Sequence, residues 1–190
     1  FTIVHVMEMG LHGDELSAPE PAAKAQRTSE QPPSDSSSEQ RERPLVSVIL
    51  PVHNGSRWID ECLTAVLAQS FLAEHGPGSL EVSAFDDGST DDTWDLLQRW
   101  EPRLVSRGVC VRLGQSLAAP GGCGFSKNRA VAQSRGEWLC FQDVDDVSDP
   151  ARITVQLAAA REHPDALIGA KVIRDPPDST PRYAAWANDM

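Results

Sequence analysis

The run LVSVILPV at 45–52 leaves this chain few choices of fold. It is apolar at nearly every position and rich in β-branched side chains, the pattern of a strand buried on both faces, and such strands belong to parallel sheets covered by helices. The rest of the chain keeps to that plan. After HNGS at 53–56, the apolar residues Trp58, Ile59, Cys62, Leu63, Val66 and Leu67 recur at helical spacing and predict a helix with one buried face. LEVSAF at 80–85 predicts a second strand, and Ser89 or Thr90 a cap for a helix carrying Trp94, Leu97 and Trp100. GVCVRL at 108–113 predicts a third strand. A glycine-rich stretch from Gly121 to Gly124 reads as a flexible connection into a helix at 126–134, and the strand EWLCFQ comes next at 137–142. Asp149 and Pro150 open a further helix bearing Ile153, Leu157 and Ala160, and ALIGAKVI at 166–173 reads as another strand. Strands and helices that alternate with short connections predict an α/β fold: an open, mainly parallel sheet with helices on both faces and ligands beyond the carboxyl ends of the strands.

Residues 1–44 read differently. From 17 to 44 the chain is rich in Ser, Pro, Glu and Gln and nearly free of large apolar side chains, so burial cannot offset the entropy of ordering. The expectation is a disordered leader or linker over 1–44, and one domain over 45–190. The net charge is −11, with no run of Lys or Arg to neutralise phosphates, which excludes nucleic acid as an expected partner. The four cysteines, Cys62, Cys110, Cys123 and Cys140, form no CxxC pair and read as free thiols. No stretch is long and apolar enough to span a bilayer, and the opening FTIVHVMEM lacks a basic leader, so a cytoplasmic location is expected. Oligomeric state is left open. The chain begins at Phe1, which predicts that its true N-terminus lies elsewhere.

Two acidic clusters close strands. Asp143, Asp145 and Asp146 place three carboxylates within four positions, and in extended geometry Asp143 and Asp145 project to the same side. Like charges so placed repel unless a proton or cation compensates, and oxygen-only ligands suit Mg²⁺ or Mn²⁺. A solvated acidic turn is the competing reading. In the second cluster, FDDGSTDDT at 85–93, Gly88 supports a turn and Asp91 and Asp92 suit the positive end of a helix dipole. Asp86 and Asp87 precede that turn, where a carboxylate can accept hydrogen bonds from a base or ribose. A dinucleotide fold would need GxGxxG in its first turn, and residues 51–55 read PVHNG.

The segments SVILPVHNGSRWIDECLTAVLAQSF, FDDGSTDDT and KNRAVAQSRGEWLCFQDVDD, in that order and spacing, resemble glycosyltransferase family 2 over about residues 45–173. The resemblance implies a GT-A (Rossmann-like) fold and an inverting transfer from a nucleotide-sugar donor to a glycan or other hydroxyl acceptor. The donor it implies is UDP-linked, with UDP-GlcNAc the candidate. It implies a donor site built from Pro51, Val52 and His53 at the first-strand turn, Asp87 against the uracil with Asp86 beside it, and Lys127 and Arg129 near the diphosphate. Asp143 then serves the ribose and the metal, Asp145 is the first metal ligand, and Asp146 an alternative; the cofactor is Mn²⁺ or Mg²⁺. The catalytic base normally lies in the acceptor half, beyond Met190, so a C-terminally truncated, catalytically silent donor-binding chain is the alternative. A nucleotidyltransferase would need a basic, glycine-rich first loop, which residues 51–57 do not supply.

Overall fold

In the computed structural model, which describes residues 2–5, 43–174, 176 and 178–189, the first long strand is buried along its whole length. β1 is Thr2–His5, and β2, Val46–Val52, is buried at every position. The chain continues through α1 (Ile59–Leu67), α2 (Ser70–His75), β3 (Leu80–Asp86), α3 (Thr93–Ser106), β4 (Cys110–Gln115), α4 (Cys123–Gln133) and β5 (Trp138–Phe141). Then come β6 (Asp146–Ser148), α5 (Arg152–Glu162), β7 (Lys171–Arg174) and α6 (Pro181–Asp189). β2 to β5 form a fully parallel sheet in the order β4-β3-β2-β5.

The two faces of that sheet differ. Val46, Val48, Leu50 and Val52 of β2 and Leu80, Val82 and Ala84 of β3 pack on one side, against the stripe Ile59, Cys62, Leu63 and Val66 of α1 and Leu97, Trp100 and Leu104 of α3. The alternate residues face α4, where Ile49 and Phe85 meet Ala130. This arises from the two-residue period of a strand set against helical stripes. The α4 face is also polar: buried Glu81 accepts the Ser47 hydroxyl at 2.6 Å and the Arg135 backbone N–H at 2.8 Å. Helices therefore cover both faces, as predicted. Trp100 is buried, and Trp94 and Trp138 pack against the larger core.

The structure departs from the sequence expectations in several places. Thr2–His5 lies inside the expected disordered leader yet forms a strand, parallel to β6 and antiparallel to β7. Its β-branched TIV sequence suits that central place. Residues 6–42, which include most of the Ser- and Pro-rich stretch, lie outside the described residues. α3 begins at Thr93 rather than beside Ser89 or Thr90, because those two residues are used in a turn and Asp91 instead accepts the Thr93 N–H at 3.1 Å. α4 begins three residues before Ser126, at Cys123. The last predicted strand is confined to Lys171–Arg174 and belongs to the second sheet, ordered β6-β1-β7.

Candidate functional site

Strand order reverses beside β2: β3 and β4 extend the sheet to one side, and β5 returns to pair on the other. In open α/β sheets such a reversal leaves a crevice at the carboxyl ends of the central strands. Here a cavity of about 330 Å³ opens there, lined by Pro51, Val52 and His53 after β2, Asp87 after β3, and Asp143, Val144 and Asp145 after β5. Pro120, Gly122, Cys123 and Ser126 close it from the start of α4.

The turns after β2 and β3 form one hydrogen-bonded unit. The Asp87 N–H donates to the Val52 carbonyl at 2.8 Å, and His53 Nδ1–H donates to the Asp87 carbonyl at 2.9 Å. Asn54 donates its N–H to the Ser89 hydroxyl and accepts the Thr90 N–H on Oδ1, both at 2.8 Å. Its φ of 50° is one that asparagine tolerates better than most residues. Gly55 donates to Thr93 Oγ1 at 2.8 Å. Ser56 donates to Asp91 Oδ2 at 3.2 Å. Partial desolvation pushes the Asp91 carboxyl up, but the hydrogen bonds from Thr93 and Ser56 outweigh it and hold the group at about 2.

The two strand-end aspartates of this unit have different tasks. Asp86 is fully buried: Oδ1 accepts the Ser89 N–H at 3.1 Å and its hydroxyl, and Oδ2 accepts Gln115 Nε2 at 3.2 Å. It is not among the residues that line the cavity, and the turn and Gln115 engage its carboxylate. Asp87 does line it, and its Oδ1 and Oδ2 accept the backbone N–H groups of Gly121 and Gly122 at 3.0 and 2.7 Å. The stretch read as a flexible connection is thus tied to the cavity wall. Gly88 is needed twice over in this arrangement, since its φ is 69° and a Cβ there would lie 2.7 Å from the Ala118 carbonyl oxygen.

The turn after β5 is supported from below. Gln142 donates its N–H to the Ile49 carbonyl at 3.0 Å, and its Nε2 reaches the carbonyls of Asp143 and Asp146 at 3.0 and 2.8 Å. Its Oε1 accepts Arg152 Nη1 and the Ser148 hydroxyl, while Arg152 Nη2 donates to the Phe141 carbonyl at 2.7 Å. Sequence reasoning overlooked both residues; a buried glutamine ahead of an acidic turn and an arginine at the start of the next helix carry no motif. Under the turn, burial first and the nearby carboxylates second push the Cys62 thiol up to about 12. The carboxylates of the turn itself reach the cavity. The Asp143 side chain is half exposed, Asp145 is exposed, and Lys127 Nζ lies 3.0 Å from Asp143 Oδ1. Desolvation pulls the Lys127 ammonium down, but its hydrogen bond and attraction to Asp143 win and its pKa is raised.

Two further candidates lie outside the cavity lining. Asp146 is not among the cavity-lining residues; its backbone begins β6 and pairs with Thr2. Arg129 does not line it either: its guanidinium sits 5.5 Å from the Phe85 ring centroid and 5.9 Å from that of Phe125. Asp143 and Asp145 are the carboxylates of this turn that line the cavity. No cluster of three or more His, Cys, Asp or Glu side chains able to hold a metal occurs among the described residues. Two carboxylates at a cavity mouth nonetheless fit Mg²⁺ or Mn²⁺, which bind through one or two carboxylates and take their remaining oxygens from phosphate and water. No helix among the described residues is long and apolar enough to cross a membrane.

An open parallel α/β domain with an acidic crevice at its point of strand reversal is the class that fold and site define. The family model described as Glycosyl transferase family 2 matches residues 47–188, and the chain belongs to that family. It is 31% identical over 117 residues to TarS of Staphylococcus aureus (strain Mu50 / ATCC 700699), a poly(ribitol-phosphate) beta-N-acetylglucosaminyltransferase. It is 32% identical over 101 residues to the poly(ribitol-phosphate) beta-glucosyltransferase of Bacillus spizizenii. These alignments cover 62% and 53% of this chain, which spans 19% of the length of TarS and 15% of the glucosyltransferase. The crystal structure of S. aureus TarS 1–349 in complex with UDP-GlcNAc is similar at a TM-score of 0.51 and 28% identity, over 62% of this chain and 31% of that one. The predicted GT-A fold is thereby established.

Proposed function

We propose that this chain forms the donor-binding part of an inverting glycosyltransferase that takes a UDP-linked sugar, UDP-GlcNAc first, with Mg²⁺ or Mn²⁺ at Asp143 and Asp145. The observation that carries the reading is the single cavity joining His53 and Asp87 on one side to Asp143 and Asp145 on the other. N-acetylglucosamine is put first because TarS is named for that sugar and was solved with UDP-GlcNAc. The sequence also resembles an animal β-1,3-N-acetylglucosaminyltransferase-like protein, but TarS and the Bacillus glucosyltransferase are bacterial and support the family rather than that assignment.

Each residue has a task in this reading. Pro51 and Val52 supply an apolar wall for the base. Asp87 uses one lone pair of each oxygen on Gly121 and Gly122, which leaves others to accept an imide N–H. His53 Nδ1 is committed to the Asp87 carbonyl, so the ring steadies the pocket floor. Lys127 offers a positive charge to the diphosphate. The divalent cation, when bound, neutralises charge on the departing nucleoside diphosphate.

Among the described residues lining the cavity the carboxylates are Asp87, Asp143 and Asp145, all occupied by these tasks. None remains to deprotonate an acceptor hydroxyl. That favours, as a second reading, a chain that binds the donor without transferring sugar. Calorimetric titration of UDP and UDP-GlcNAc with and without Mn²⁺ tests the site, and turnover by the purified chain separates the two readings. Metal-dependent binding that disappears in Asp145→Ala supports the donor site; a folded chain that binds neither nucleotide rules it out.

A further inference from the structure

Lys127 sits on α4 one turn after Cys123, and the i, i+4 spacing puts both on the helix face that turns to the cavity. That helix is anchored by the Ser126 hydroxyl, which donates to the Phe85 carbonyl at 2.9 Å, and by fully buried Ala130. The ammonium is carried on a flexible stem from a fixed base. It meets Asp143 Oδ1 at 3.0 Å, with side chains 32% and 51% exposed. An ion pair this open to solvent is weak and exchanges readily. Asp145 has no hydrogen bond or ion pair among the described residues, and Arg129, the next cation along α4, is turned toward Phe85 and Phe125.

We propose that Lys127 and a divalent cation compete for Asp143, so that cation binding hands the ammonium to the donor's diphosphate and makes cation and nucleotide mutually reinforcing ligands. The inference rests on the donor-site reading of the cavity. Its logic is charge balance: a divalent cation matches the two carboxylates of Asp143 and Asp145 better than one ammonium does, and the displaced ammonium then matches an added diphosphate. Lys127 is a competitor of the cation at Asp143 and a binding residue for the nucleotide. By linkage, whatever factor the cation adds to nucleotide affinity, the nucleotide adds to cation affinity.

The test counts free Mn²⁺ by electron paramagnetic resonance, first with Mn²⁺ alone and then with UDP, for the full chain and for Lys127→Met, Lys127→Arg and Arg129→Met. Thermal unfolding of each variant checks that it is folded. Without UDP, Lys127→Met is expected to bind Mn²⁺ roughly 5- to 10-fold more tightly than wild type, and Arg129→Met less than about 2-fold. With UDP, wild type gains about 10-fold or more in Mn²⁺ affinity, Lys127→Met gains less than about 3-fold, and Lys127→Arg behaves as wild type. The proposal is overturned if Lys127→Met binds Mn²⁺ no more tightly than Arg129→Met does, or if it keeps the full gain from UDP. A folded wild type that binds neither Mn²⁺ nor UDP overturns the donor-site reading itself, a result distinct from binding of both without coupling through Lys127.

Discussion

The turns after β3 and β5 carry nearly the same sequence signal and use it in opposite ways. Each succeeds a parallel strand and holds several aspartates, yet Asp86 is fully buried with both oxygens engaged, whereas Asp145 is exposed and makes no hydrogen bond or ion pair among the described residues. The first turn is bound to the HNGS turn by reciprocal hydrogen bonds through Asn54, Ser89 and Thr90. The second is held from beneath by Gln142 and Arg152, which engage backbone carbonyls and leave the Asp143 and Asp145 side chains facing the cavity. A carboxylate already satisfied by protein donors maintains shape; one left to solvent is available for a ligand. Asp87 belongs to both kinds, since it holds Gly121 and Gly122 and still lines the cavity.

Substitutions separate the two turns most sharply. Asp145→Ala is expected to weaken Mn²⁺-dependent UDP binding on the order of 100-fold by calorimetry. Stability in urea should shift by less than about 0.5 kcal/mol, as for other exposed sites. Asp86→Ala should do the reverse. It strands the Ser89 and Gln115 donors beside a buried void, so urea denaturation should show a loss of ~2–4 kcal/mol. An Asp86→Ala protein as stable as wild type would erase the distinction between the turns.

Alkylation by iodoacetamide gives a smaller effect that reads the cavity between them. Exposed Cys123 should be labelled first, and more slowly once UDP with Mn²⁺ occupies the cavity that it lines. Buried Cys62, pushed up to about 12, should remain unlabelled on the same timescale. Labelling of Cys123 that ignores the nucleotide would place the ligand elsewhere. The smallest effect belongs to Asp91, held at about 2 against its ordinary 3.8. A depressed carboxylate stabilises the fold above its unfolded pKa and loses that contribution as pH falls through the folded one. Wild type should therefore lose roughly 0.5 kcal/mol more than Asp91→Asn between about pH 4 and pH 2, a small figure because the group is exposed and screened. Equal acid sensitivity of the two proteins would remove Asp91 from the hydrogen-bonded unit.

Sequence alone determined the sheet of β2 to β5 and the helices over it. Continuous β-branched runs and helical apolar stripes express burial, and burial acts through local periodicity that one chain displays without its neighbours. The family was legible for the same reason, since its three motifs fall at strand ends in fixed order. Pro51, Val52, His53, Asp87, Lys127, Asp143 and Asp145 were all nominated and all meet at one cavity or its margin. Only tertiary structure divided the remaining polar residues. Whether an aspartate serves a turn or a ligand depends on which donors arrive from elsewhere, and Gln115, which claims Asp86, lies 29 positions away. Arg129 lies against two phenylalanine rings, and the Asp146 backbone pairs with the chain's first residues. Gln142 and Arg152 came into view only in three dimensions. Periodicity records which face of an element is buried, but the partner that satisfies a polar group there is chosen by the fold.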